Sequence, residues 1–97
     1  MRIRFTPSAE ADLLSVLAFI RRDRPSAALG LLDRISRRLG RLSRFPELGR
    51  RIPEFPDLPH RQIVIEPLRF FYRIEGSTVW IVAVWHGARI PDKPGRR

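Results

Sequence analysis

The chain has 97 residues, 43% of them hydrophobic, with no cysteine and a formal net charge of +9. Those totals bound it to one domain with a modest core, and exclude disulfides and cysteine-ligated metals. Two histidines, His60 and His86, leave little from which to build a zinc or iron site, and no cofactor is expected.

The start, MRIRFTPSAEADLL, lacks the uninterrupted apolar stretch of a signal peptide, and no apolar run is long enough to span a bilayer. A soluble, cytoplasmic protein without membrane association is expected. Of the 19 basic residues only Lys93 is a lysine. Arginine suits bidentate contact with phosphate or carboxylate, and an excess of this size implies an anionic partner, either nucleic acid, an acidic protein or both.

Met1 to Phe5 alternates Ile3 and Phe5 with Arg2 and Arg4, a short strand with one apolar face. Thr6-Pro7 reads as a helix start, Thr6 the N-cap and Pro7 the first helical residue, with Glu10 and Asp12 favourably placed near the positive end of the dipole. Ala9, Leu13, Val16, Leu17 and Ile20 recur at helical spacing, and Pro25 stops the run. A second helix follows from Pro25 to about Arg44, its apolar stripe Leu29, Leu32, Ile35, Leu39 and Leu42. Arg34, Arg37, Arg38, Arg41 and Arg44 occupy its other side, which reads first as a solvated helix face.

Phe45 to Pro59 carries four prolines and Gly49, and reads as an irregular connector. His60 to Glu66 alternates at Ile63 and Ile65, and Pro67 marks a turn or bulge. Arg69 to Ile74 and Val79 to His86 are further strands, joined by a tight turn at Glu75-Gly76-Ser77. Strict alternation sends Val79, Ile81, Ala83 and Trp85 to one face of the last strand and Trp80, Val82 and Val84 to the other. A strand apolar on both faces is central and covered on both.

The expected fold is α+β, in the order β-α-α-β-β-β, an antiparallel sheet with a helical hairpin packed on one face. One domain is expected over residues 1–90, with a tail at 91–97 that stays mobile until a partner pins it.

In RFFYRIEG, residues 69–76, Phe70, Tyr72 and Ile74 alternate with Arg69, Phe71 and Arg73. Two readings fit the second set. Alternating arginines solubilise a half-exposed strand; equally, guanidinium groups flanking a ring on an open concave face, with Arg61, His86 and Arg89 nearby, suit phosphate or base binding. No phosphate loop, GxSxG, paired carboxylates or metal signature occurs.

The segments FTPSAEADLLSVLAFI, RLSRFPELGRRIPEF and, above all, LRFFYRIEGSTVWIVAVWHGAR resemble the ParE/RelE superfamily of bacterial type II toxins, over residues 3 to 90. The resemblance implies a small toxin neutralised by a cognate antitoxin that wraps it, and one of two targets: DNA gyrase, as for ParE-like members, or mRNA on the ribosome, as for RelE-like endoribonucleases, which need no metal. A third possibility is a non-toxic binding or co-repressor module. Operator DNA would be bound indirectly, through the antitoxin.

By the same resemblance Arg69 corresponds to the arginine that contacts the scissile phosphate in nuclease members, and Arg89 to a basic residue assisting it. His86 is the nearby proton-transfer candidate if the chain is a nuclease; Glu54 with His86 approximates the pair used by another branch. The C-terminal tyrosine that some nucleases use as a base has no counterpart after Arg89, and metal-free RNA cleavage needs such groups. The gap favours the gyrase reading. Target or anion contact is expected at Arg61, Arg69, Phe71, Arg73 and Arg89, and antitoxin contact at Leu13, Leu17, Arg34, Arg38, Arg41 and Trp80.

Overall fold

In a computed structural model that describes residues 1–87, the chain runs β1 (Arg2–Phe5), α1 (Pro7–Asp23), α2 (Pro25–Arg44), β2 (Arg50–Arg51), β3 (Arg61–Ile65), β4 (Leu68–Glu75) and β5 (Thr78–His86). Arg89 and the tail at 91–97 lie outside the described residues.

The helix starts follow from local chemistry. Thr6 is extended, and its hydroxyl accepts the Ala9 N–H at 3.2 Å, satisfying one of the donors a helix start leaves over. Pro25 opens α2 as a first-turn proline. The α1 stripe packs as its spacing predicts, with Ala9 buried and Leu13, Val16, Leu17 and Ile20 against the core. In α2 the stripe is rotated from the expected one: Ala28, Leu31, Ile35 and Leu42 are buried, whereas Leu29 and Leu32 remain 69% and 44% exposed. The run ALGLL offers apolar side chains on two faces, so periodicity alone does not choose between them.

The sheet order is β1-β5-β4-β3-β2. It is mixed, which corrects the antiparallel expectation: β1 pairs in parallel with β5, Ile3 opposite Val79 and Phe5 opposite Ile81. Strands β3, β4 and β5 alternate in direction, so the last comes to lie alongside β1 with the same sense. The intervening helical hairpin supplies the long crossover that a parallel pair requires. β2 was not expected. It consists of two exposed arginines opposite Arg61 and Gln62, and so carries no apolar alternation to betray it. The β4–β5 turn is a two-residue loop with Gly76 at φ +57°, a conformation glycine adopts without strain.

A bulge in β5 reorganises both faces of the sheet. Phe71 pairs with Ala83 but its neighbour Tyr72 pairs with Ile81, leaving Val82 as the extra residue. Beyond it the alternation is reversed. Val84 joins Val79 and Ile81 in the core beneath the helices, while Ala83 and Trp85 join Trp80 and Val82 on the far side, contrary to the strict alternation expected. A single-residue offset is enough to exchange faces.

Past the end of β1, the outer edge of β5 is completed by a side chain: the Asp12 carboxylate, on α1, accepts the Val84 N–H at 3.1 Å. Asp12→Ala is therefore expected to destabilise the fold by about 1–3 kcal/mol, the usual effect of orphaning a buried donor. Asp12→Asn, which keeps an acceptor oxygen, should lose less. Urea unfolding midpoints of the three proteins check this.

The far face carries a second core of its own. Ile52, Phe71, Val82, Ala83 and Trp85 are buried together, with Phe55 and Trp80 packed alongside. Ile52 and Phe55 come from the proline-rich connector, which folds back over the sheet.

Candidate functional site

The far side of β4 is where an open cationic and aromatic concavity was expected. The structure closes most of it. Phe71 is fully buried under the connector. Arg69 lies 5.2 Å over the Phe71 ring and is engaged along its whole guanidinium edge. Its Nη1 and Nη2 donate to the Glu54 carboxylate at 3.0 and 2.7 Å, and its Nε and Nη2 donate to Gln62 Oε1 at 3.0 and 2.6 Å. Connector, β3 and β4 are thus tied together by one side chain.

Hydrogen bonding from Arg69 holds the Glu54 carboxyl below its ordinary value of 4.5, against the opposing effect of desolvation. A carboxylate so stabilised in its charged form is a poor general base near neutral pH.

The remaining expected members of the site are dispersed. Arg73 donates to Glu75 at 2.6 Å. Arg61 stands opposite Tyr72, on the side of the helices, and its Nη1 donates to the carbonyls of Gly49 at 2.8 Å and Glu47 at 3.4 Å. His86 is exposed and paired with Leu68, which lies in the core beneath the helices, whereas Arg69 is paired with Trp85 on the opposite face. Directly opposed residues share a face, so the sheet separates His86 from Arg69. Arg89 lies outside the described residues.

The exposed cation–aromatic contact on the far face is one that sequence reasoning missed. Arg4 sits 5.6 Å over the ring of half-buried Trp80, whose other neighbour across the sheet is Arg73. The alternation of Arg2 and Arg4 was legible, but its place beside Trp80 depends on the parallel β1–β5 pairing. Close by, burial pushes His60 below its ordinary 6.5, with a smaller push from the Arg73 charge, and its Nδ1 has no partner among the described residues.

The surfaces expected to meet an antitoxin are partly reassigned. Leu13 packs against the core, and Leu17 does so while also reaching the outer groove of the helical hairpin. The large apolar side chains free on that groove are Leu14, Leu29 and Leu32, at 61%, 69% and 44% exposure. Arg34, Arg38 and Arg41 line a separate cleft between α2 and β3. No helix among the described residues is long and apolar enough to cross a membrane.

Comparison with known proteins agrees with this architecture. A family model described as the ParE toxin of the parDE type II toxin–antitoxin system matches residues 3–91. Among solved structures, a chain of the chromosomal ParDE toxin–antitoxin system from P. aeruginosa superposes with a TM-score of 0.74 at 21% identity, covering 90% of this chain and 96% of that one. At that identity the likeness is one of fold. A search of curated proteins finds no match.

Proposed function

The chain belongs to the ParE toxin family of type II toxin–antitoxin systems, and from that premise we propose that it is a growth-inhibiting toxin acting on DNA gyrase by surface contact, and that it is held inactive by a cognate antitoxin. The observation that carries the reading is the commitment of Arg69 to Glu54 and Gln62, with His86 on the other face of the sheet. RNA cleavage asks for a base, an acid and free cations around one phosphate. The described residues converge on no such point. Binding a protein target needs no proton-transfer pair, only an accessible surface.

A partner that neutralises the toxin is supported by the formal charge of +9 and by the exposed Leu14, Leu29 and Leu32. An amphipathic helix in the hairpin groove, continued by acidic residues, buries apolar surface and offsets charge together. Operator DNA is reached through the antitoxin.

Purified gyrase with a molar excess of the chain is expected to lose most of its supercoiling activity, and to recover it on addition of the antitoxin. Full supercoiling at excess toxin, together with codon-position cuts in translated mRNA mapped by primer extension, would overturn the reading in favour of the nuclease. Induced expression without growth arrest would point to a non-toxic module.

A further inference from the structure

The cleft between α2 and β3 has a row of arginines for one wall and a strand edge for the other. Arg34, Arg38 and Arg41 line it from the helix and Val64 from the strand. Arg34 donates to the Glu66 carbonyl at 2.7 Å, and the neighbouring Arg37 is held by Asp33 at 3.1 Å. Arg38 and Arg41 have no acid partner among the described residues.

The strand edge is open as well. β2 pairs only with Arg61 and Gln62, so from Ile63 to Ile65 no strand lies on the outer side of β3 among the described residues. Two contacts show which way the main chain points there. The Gln62 carbonyl oxygen faces Gly49, within 2.6 Å of where a Cβ would stand, and the Glu66 carbonyl faces Arg34 of α2. Backbone polar groups of an antiparallel strand alternate sides with a period of two. Val64, between them, therefore turns its N–H and C=O away from β4 and into the cleft.

An edge of this kind is a template for another strand. Its cations select what that strand carries. Along α2, Arg34, Arg38 and Arg41 rise by about 6 and 4.5 Å, close to the roughly 6.7 Å between same-face residues of an extended chain, and long guanidinium stems absorb the difference. A polynucleotide would use the arginines but has no use for the Val64 main chain, so the combination favours a peptide.

We propose that this cleft is the docking site for an extended acidic segment of the partner protein, which adds to the sheet beside β3 with its main chain bonded to Val64 and its carboxylates on Arg38 and Arg41. The inference rests on the reading that a protein partner covers this chain. It adds a contact separate from the apolar groove of the helical hairpin.

The test uses the full chain and an acetylated decapeptide alternating valine and glutamate, with its valine–glutamine counterpart and single-stranded oligo-dT as competitors. Measured by fluorescence anisotropy, the glutamate peptide should bind at least tenfold more tightly than the glutamine peptide. Binding should weaken at least tenfold in Arg38→Gln/Arg41→Gln. It should weaken equally in Val64→Pro, which removes the outward N–H from an edge where proline is tolerated. In the unaltered chain, hydrogen exchange of the Val64 amide should slow at least tenfold on saturation, a readout independent of how Val64→Pro folds.

The proposal is overturned if Val64 exchange is unmoved at saturation, or if Val64→Pro binds the peptide as tightly as the parent chain. It is also overturned if oligo-dT displaces the peptide and binds without affecting Val64, which would make the row a nucleic-acid contact. Gyrase takes no part in these measurements, so a negative outcome leaves the supercoiling reading standing, and a negative supercoiling result leaves this one standing.

Discussion

Gly49→Ala is expected to destabilise the protein by about 3 kcal/mol, the upper range for overpacking, and to lower the melting temperature by roughly 12–24 °C for a domain of this size. A Cβ at this position would stand 2.6 Å from the Gln62 carbonyl oxygen, 2.6 Å from Tyr72 Oη and 2.7 Å from its Cε1. Neither neighbour can give way cheaply. The first is main chain of β3. The second is a fully buried ring whose hydroxyl accepts the Gly49 N–H at 2.9 Å and donates to the Pro46 carbonyl at 2.7 Å. Burial also pushes the Tyr72 hydroxyl above its ordinary 10.0, keeping it protonated as a donor.

Tyr72→Phe removes one of the obstructing atoms but leaves the Gly49 N–H and the Pro46 carbonyl without that partner, a loss of about 1–3 kcal/mol. Because the two sites share a contact, the double variant should be less destabilised than the sum of the singles. Denaturant midpoints of all four proteins measure this coupling. Strictly additive losses, or a Gly49→Ala protein that melts with the parent, would show that the loop after α2 is not pinned as described.

Arg69→Ala is the second large effect, and it separates two roles for the residue. As the clamp seen here, Arg69 should lose about 2–3 kcal/mol of stability when truncated, in the range for hydrogen bonds to charged groups. Gln62, only 7% exposed, loses the donors to its amide oxygen, and Phe71 loses the cation over its ring. An arginine reserved for a target would instead leave unfolding unchanged while abolishing activity. Glu54→Gln should be milder, below about 1 kcal/mol, because the Glu54 side chain is 36% exposed and solvent screens the pair.

The acid limb of the stability curve reports the same clamp. Since Arg69 lowers the Glu54 pKa in the folded chain, the contribution of the pair is complete above about the ordinary 4.5 and is lost as pH falls through the lowered value. His60 acts at higher pH. Its imidazole is held below the ordinary 6.5 when folded, so the unfolded chain takes up the proton first and stability declines as pH drops below that value. Urea midpoints between pH 8 and 3.5 should therefore fall in two stages. His60→Gln should remove the upper stage and Glu54→Gln should flatten the lower one.

The amino-acid sequence by itself determined the elements whose signals are short-range. The Thr6 cap, the prolines that open both helices, the glycine turn at 76 and the apolar composition of β5 each depend on neighbours a few residues away, and the α+β arrangement of a helical hairpin against a sheet followed from their order. The arginine-rich side of α2 was equally plain. The tertiary structure alone decided which faces those elements present. Parallel pairing of β1 with β5 joins residues more than seventy positions apart, and no local pattern encodes such a partner.

The bulge at Val82 reversed the faces of Ala83, Val84, Trp85 and His86, since a strand has a period of two and a single inserted residue exchanges its sides. Ile52, Glu54 and Phe55 sit in a connector without periodicity, so their return over Phe71 and Arg69 was invisible until the chain was folded. An arginine that reads in sequence as a hand held out to a phosphate is, in three dimensions, already holding its own chain's carboxylate.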